Sequence, residues 1–126
     1  MVGIVVVSHY DKLAEGVVEL ARLMAPDAPI VGAGGMGQGE FGVDPEKISS
    51  AIDEVYTEEG VIVLMDMGSA VMKTEAVIKS KTGKKIRMVD CPVTEGAVAA
   101  AILSIEGAPF EDVLYAAQSS KTLQKF

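Results

Sequence analysis

Short apolar runs and amphipathic segments alternate along this chain. Residues 3–7 and 61–65 are almost continuously apolar, which is typical of strands that a parallel sheet buries on both faces. Shorter runs at residues 29–31 and 86–89 predict two further strands. Because helical periodicity follows each run, the pattern predicts βαβ units and a mainly parallel sheet.

Five segments space their apolar residues three and four positions apart, as helices that cover a core do. The first spans residues 11–24. The second begins at Asp44 and Pro45, which suit the N-cap and the first helical position. The third follows Gly68, and the fourth begins at Pro92. The core-facing residues predicted for the last four helices are Ile48, Ala51, Ile52 and Val55, then Ala70, Thr74, Val77 and Ile78, then Ala97, Val98, Ala101, Ile102 and Ile105, and finally Phe110, Val113, Leu114 and Ala117.

These elements predict one α/β domain over residues 1–126, a three-layer sandwich around a mostly parallel central sheet with strand order about 2-1-3-4. Apolar residues make up 49% of the chain, so disorder is excluded. No apolar run has the length of a membrane span, and the first residues lack the basic stretch of a signal peptide. The one cysteine, Cys91, cannot form an internal disulfide, which favours a cytoplasmic protein.

The formal net charge of −7 argues against a nucleic-acid partner, because nucleic-acid phosphates require a basic surface. An acidic surface would steer a basic protein partner toward the molecule. It also keeps a protein soluble without any partner, and charge alone favours that second interpretation.

His9, the only histidine, falls in the turn between the first strand and the first helix. Reaction sites of open α/β sheets collect at the carboxyl ends of strands. Ser8 and Asp11 have the spacing of a capping box, which would place His9 at a helix N-terminus that favours a bound anion. A neutral imidazole there could act as base, metal ligand or nucleophile, or could simply pack at the helix start. Mechanisms that need two histidines are excluded.

Asp66 directly follows the third strand. Because the first and third strands are neighbours in a doubly wound sheet, we expect Asp66 to lie near His9. A carboxylate there would accept the N–H of one ring nitrogen and leave the other free to attack, although Asp66 could instead merely cap the next helix. The N–H groups of Gly68 and Ser69, which begin that helix, are expected to face the same anion and support a phosphoryl group.

The glycine-rich segment 32–42 formally satisfies G-x-G-x-x-G, but its context is wrong for a dinucleotide site. It follows the second strand rather than the first, and no helix starts until Asp44. We therefore predict a mobile loop beside the active site. Its apolar residues Met36 and Phe41, together with Tyr10, are expected to contact a partner protein.

Other chemistries find little support in the sequence. One histidine and one cysteine are too few for a zinc site, and we predict neither a metal nor a cofactor. The residues around Ser69 lack the glycine pattern of a hydrolase nucleophile elbow. A flavodoxin-like regulatory module, such as a receiver domain switched at Asp66, is the alternative. However, the acidic pair and the lysine that such a domain requires are not evident.

Taken together and in order, four segments make the chain resemble the mannose-type enzyme IIA family, over essentially its whole length. Within that family the likeness is to phosphocarrier subunits of phosphotransferase-system-dependent dihydroxyacetone kinases, in their short single-domain form. The four segments are Val7-Ser8-His9, Leu13-Ala14-Glu15-Gly16, Asp66-Met67-Gly68-Ser69-Ala70 and Pro92-Val93-Thr94-Glu95-Gly96-Ala97.

The resemblance implies a homodimer that relays a phosphoryl group. In that scheme phosphorylated HPr phosphorylates His9, and phospho-His9 passes the group to ADP on the nucleotide-binding subunit of the kinase. The resulting ATP then phosphorylates dihydroxyacetone, or a related small sugar, on a third subunit. His9 matches the phosphorylated histidine and Asp66 the acid of the family motif. Tyr10 stands where the family often has glycine, so its side chain would restrict access or alter the shape of the loop.

Overall fold

The structure, a computed structural model that describes residues 1–126, is built around one sheet of four parallel strands. They are β1 (Gly3–Ser8), β2 (Ile30–Gly34), β3 (Val61–Met65) and β4 (Ile86–Met88). The strands lie in the order β2-β1-β3-β4, and every neighbouring pair is parallel. The predicted α/β architecture and strand order are confirmed.

Five helices cover the two faces of the sheet: α1 (Asp11–Met24), α2 (Pro45–Val55), α3 (Val71–Ser80), α4 (Val93–Ile105) and α5 (Phe110–Ser119). Side chains alternate between the faces of a strand. One face of β1 therefore packs under α1, α4 and α5, and the other under α2 and α3. None of the five combines the length and the apolar character that crossing a membrane requires.

Local signals explain why several elements begin and end as predicted. The Asp44 carboxylate accepts the N–H of Glu46 at 2.9 Å, and Pro45 occupies the first turn of α2. The apolar face of α2 is buried at each of the four predicted positions. The same agreement holds for all four predicted core residues of α5.

The prediction for strand β2 was too short. The strand continues beyond Val31 through Gly32 and Gly34. Glycine disfavours strands in general, but here helix α1 crosses close to the strand. A Cβ atom on Gly34 would lie 2.7 Å from the carbonyl oxygen of Tyr10, so only glycine fits. Basic side chains cap two backbone carbonyls of this edge strand: Arg22 donates to Ile30 O (2.7 Å) and Lys47 to Gly34 O (3.1 Å).

Helix α4 buries only part of the side predicted for it, since Ala97 and Ala101 are buried as predicted but the larger residues are not. Its buried residues are small: Gly96, Ala97, Ala100, Ala101 and Ser104. Three larger residues predicted for the core are partly exposed instead, namely Val98, Ile102 and Ile105. The helix is apolar on all sides, so periodicity could not select a face, and the small residues let α4 approach the sheet closely.

Cys91, just after β4, is expected to be a slow thiol. Burial raises its pKa to about 11 from the ordinary 9.0, and the nearby Ser120 hydroxyl offsets part of that rise. Because the thiolate is the reactive form, alkylation near neutral pH should be about 100-fold slower in the folded protein than in the denaturant-unfolded chain. Quantifying alkylated Cys91 over time by mass spectrometry checks this, and equal rates in both states would contradict it.

Candidate active site

The site forms where β1 and β3 end. Val7 pairs with Met65 in the parallel ladder, so the residues that follow these strands emerge side by side. The distance between His9 Nδ1 and Asp66 Oδ1 is 2.9 Å. The backbone N–H of His9 also donates to Asp66 Oδ2 at 3.0 Å. The carboxylate therefore contacts both the ring and the main chain of His9.

Ser8 completes this arrangement in a way that the sequence did not predict. Its hydroxyl donates to Asp66 Oδ2 at 3.0 Å and accepts the N–H of Tyr10 at 3.1 Å. The predicted capping box between Ser8 and Asp11 is wrong, because Ser8 still belongs to β1 and the N-cap of α1 is Tyr10. The carboxylate of Asp11 accepts the N–H of Lys12 instead.

The surroundings of Asp66 keep its carboxyl group ionised. Burial alone would raise its pKa. The hydrogen bonds from the backbone and ring of His9 and from the Ser8 hydroxyl together outweigh that effect, so the pKa of Asp66 lies below its ordinary value. An ionised carboxylate has no proton to donate.

The state of the His9 ring follows from its two neighbours. Since Asp66 can only accept, Nδ1 must carry the proton in the neutral ring, and Nε2 keeps a free lone pair. The hydroxyl of Ser69 lies 2.8 Å from Nε2 and is the group that can donate to it. This tautomer is assigned from the hydrogen-bond partners. This arrangement leaves Nε2 of His9 unprotonated and chemically able to act as a nucleophile.

Gly68 and Ser69 belong to a 3-10 turn, Gly68–Ala70, that leads into α3. Neither backbone N–H donates a hydrogen bond within the chain, so both remain available to an anion. The sequence predicted a role for these N–H groups but not for the Ser69 hydroxyl. Nothing in the sequence indicates where that hydroxyl points, because its direction depends on how the turn meets His9.

The glycine-rich segment forms a short hairpin beside His9. Its N–H and carbonyl groups pair across a turn at Gln38 and Gly39, where both φ angles are positive (54° and 80°). The N–H of Gly42 donates to His9 O at 2.8 Å, which ties the hairpin to the site. The side chain of Met36 lies directly over Gly42.

Tyr10 and Phe41 join the hairpin to the first turn of α1. Their rings stack with centroids 4.6 Å apart and an angle of 27° between planes. Phe41 nevertheless remains 73% exposed. The two rings therefore form a surface beside His9 that a neighbouring molecule can contact.

Exposed apolar side chains continue along the other segments that carry the site. Together with the hairpin residues they form what we call the apolar rim: Met36, Phe41, Met67, Val71 and Met72. The sequence pointed to the first two alone. The others were missed because Met67 and Val71 lie in a turn and a helix start, where periodicity does not distinguish exposed from buried positions.

The chain is thus an α/β protein with a histidine–carboxylate pair at the carboxyl edge of a parallel sheet. A family model, EIIA-man, described as the PTS system fructose IIA component, matches residues 3–114. The chain belongs to the EIIA-man family, which confirms the family resemblance seen in the sequence.

Several curated relatives are dihydroxyacetone kinase subunits. The phosphoryl donor subunit DhaM of the PEP-dependent dihydroxyacetone kinase of Escherichia coli is 37% identical over 122 residues. That match covers 91% of this chain but 26% of the relative, so the chain spans about a quarter of its length. The phosphotransferase subunit DhaM of the PTS-dependent kinase of Lactococcus lactis is 32% identical, with 88% of this chain and 89% of the relative covered. A Listeria innocua phosphoryl donor subunit DhaM is 31% identical over 90% and 94% of the two chains.

Solved structures show the same fold. A crystal structure of a protein of unknown function superposes with a TM-score of 0.82 at 26% identity and covers 100% of this chain and 99% of its own. A sigma-54 interaction domain protein from Enterococcus faecalis superposes with a TM-score of 0.74 at 18% identity, covering 94% and 89% of the two chains. The second likeness is evidence for the fold alone.

Proposed function

We propose that this protein carries a phosphoryl group on His9. It would accept the group from phosphorylated HPr and pass it to ADP bound on the nucleotide-binding subunit of a dihydroxyacetone kinase. The contact between His9 Nδ1 and Asp66 Oδ1, at 2.9 Å, carries the proposal because it leaves Nε2 free to attack phosphorus. The names of the Escherichia coli and Lactococcus lactis relatives support a phosphotransfer role.

In the proposed reaction, Nε2 of His9 forms a bond to phosphorus while the bond between phosphorus and the donor atom breaks. The Nδ1 proton stays in its hydrogen bond to Asp66, so the positive charge that develops on the ring is matched by the carboxylate. In the second half, an oxygen of the ADP β-phosphate attacks, the Nε2–P bond breaks, and neutral His9 is restored. Such transfers depend mainly on positioning and charge stabilisation.

Gly68 and Ser69 are proposed to stabilise the phosphoryl oxygens. The two free N–H groups are suited to an anion. The Ser69 hydroxyl, which donates to Nε2 in the unphosphorylated protein, would turn from the ring to a phosphoryl oxygen as the bond forms. No metal or cofactor takes part in this scheme.

Incubation with phosphoenolpyruvate, enzyme I and HPr, followed by intact-mass measurement, tests the proposal. We expect a mass gain of one phosphoryl group that requires HPr and is lost in acid but stable in base. Absence of the gain would contradict the carrier function. A gain destroyed by base and hydroxylamine would indicate an acyl phosphate on Asp66, as the receiver-domain alternative predicts.

The apolar rim and Tyr10 are proposed as the surface on which HPr and the kinase subunit dock. Phe41→Ala should raise the KM for phospho-HPr about fivefold and leave kcat within about twofold, because the ring contacts the partner rather than the phosphoryl group. Tyr115→Ala is the matched control, since Tyr115 is an equally exposed aromatic residue on α5. Similar KM values for the Phe41 variant and the control would remove Phe41 from the docking surface.

We also propose that the protein is a cytoplasmic homodimer. The resemblance to the enzyme IIA family is the ground for the dimer. Sedimentation equilibrium measures the mass directly. A single-chain mass at micromolar concentration would contradict the dimer without affecting the proposed chemistry at His9.

A further inference from the structure

Ser8 is a buried polar residue at the end of a strand whose other residues are apolar or glycine. Its exposed fraction is 1%. A buried hydroxyl is costly unless it forms hydrogen bonds, and Ser8 forms two, both within the active site. The hydroxyl forms no hydrogen bond with either ring nitrogen of His9, so its hydrogen-bonded connection to the ring runs through Asp66.

The two hydrogen bonds of Ser8 have a fixed direction. The N–H of Tyr10 can only donate, so it uses an acceptor site of the Ser8 oxygen. The ionised Asp66 can only accept, so the Ser8 proton points to Oδ2. This chain of donors runs from the start of α1 to the carboxylate, and each bond polarises the next.

These hydrogen bonds determine which oxygen of the Asp66 carboxylate is left for the His9 ring. Oδ2 receives both the Ser8 hydroxyl and the His9 backbone N–H, which leaves Oδ1 for the ring proton on Nδ1. Two donors on one oxygen fix the rotation of the carboxyl group. Without the Ser8 hydroxyl, Oδ2 keeps only the His9 backbone N–H as a donor, so the carboxylate is held less firmly and the bond from Oδ1 to the ring weakens.

We propose that Ser8 is a positioning residue that holds Asp66 in the rotamer which keeps Nδ1 of His9 protonated and Nε2 free. This proposal rests on the proposed carrier function for its effect on rate, but the tautomer itself is a property of the unphosphorylated protein. Ser8 is not a catalytic residue in this scheme because it touches neither the ring nor the phosphoryl group.

Three variants separate the hydroxyl from packing: Ser8→Ala, Ser8→Thr and Ser8→Val. Threonine and valine have nearly the same shape, so any cost of the added methyl groups is shared and their difference reports the hydroxyl. His9 is the only histidine, so a long-range 1H–15N NMR spectrum shows one imidazole and reads its tautomer without assignment. Phosphoryl transfer from phospho-HPr is measured in parallel, with circular dichroism to check the fold.

We expect Nδ1 to be protonated in the wild type and Ser8→Thr, and a mixture of tautomers in Ser8→Ala and Ser8→Val. Phosphoryl transfer should be about tenfold slower in the alanine variant than in the wild type. It should likewise be about tenfold slower in the valine variant than in the threonine variant. An unchanged tautomer in the alanine variant would overturn the proposal.

If neither the threonine nor the valine variant folds, the comparison of the alanine variant with the wild type decides. If the wild type accepts no phosphoryl group, the carrier function fails while the NMR result still decides the role of Ser8.

Discussion

Asp66→Asn is expected to slow phosphoryl transfer to His9 about a thousandfold while the fold is retained. Two donors, the Ser8 hydroxyl and the His9 backbone N–H, point at Oδ2, so an amide at this position must place its oxygen there. Its NH2 group then faces Nδ1 of His9. A donor facing Nδ1 makes that nitrogen the acceptor, and the ring proton moves to Nε2, where it blocks attack on phosphorus.

Asp66→Ala is the informative comparison. Alanine removes the carboxylate but enforces no tautomer, so part of the His9 population keeps a free Nε2. We therefore expect the alanine variant to transfer faster than the asparagine variant, although asparagine is closer to aspartate in size and polarity. Single-turnover transfer from phospho-HPr, quenched in base and measured by intact mass, gives both rates. Wild-type rates in either variant, or a slower alanine variant, would contradict the assigned role of Asp66.

His9→Gln is expected to abolish phosphorylation entirely. Glutamine preserves a side chain of similar length that can still donate a hydrogen bond to Asp66, but it offers no nitrogen nucleophile. No second histidine exists in the chain to substitute for it. The measurement is the intact mass after prolonged incubation with phosphoenolpyruvate, enzyme I and HPr.

The Asp66 variants are the matched control for this second prediction. They keep the nucleophile, so they should reach the full mass gain slowly, whereas the His9 variant should never gain mass. A phosphoryl group on His9→Gln would mean that another side chain accepts it. That result would remove His9 from the reaction.

The sequence predicted those parts of the fold that local patterns determine. Continuous apolar runs located β1 and β3, and Asp44 with Pro45 marked the start of α2. The extension of β2 through glycine was missed because it depends on how closely α1 crosses that strand. The buried side of α4 was predicted only in part, at Ala97 and Ala101, because a helix that is apolar all round carries no periodic signal.

The same distinction applies to the site. The proximity of His9 and Asp66 was predictable because each follows a strand, and neighbouring parallel strands end at the same edge of the sheet. The hydroxyl groups of Ser8 and Ser69 were not predicted in their present roles. A serine pairs with many kinds of partner, and only the packed backbone determines which one its hydroxyl meets.

Each atom of the pair formed by His9 and Asp66 has a separate part in the proposed chemistry. Asp66 Oδ1 accepts the N–H of Nδ1, which leaves Nε2 as the nitrogen that we propose bonds to phosphorus. The site contains a carboxylate whose pKa is held low by its hydrogen bonds. The ends of β1 and β3 bring the pair together, the Ser8 hydrogen bonds orient Asp66, and the proposed chemistry depends on both.

The nitrogen that carries the phosphoryl group is the most direct test of that assignment. The protein is phosphorylated through HPr with 15N-labelled His9, and long-range 1H–15N NMR identifies the substituted nitrogen. We predict phosphorus on Nε2, with Nδ1 still protonated and bonded to Asp66. Phosphorus on Nδ1, on a side chain other than His9, or nowhere in the chain would contradict the account.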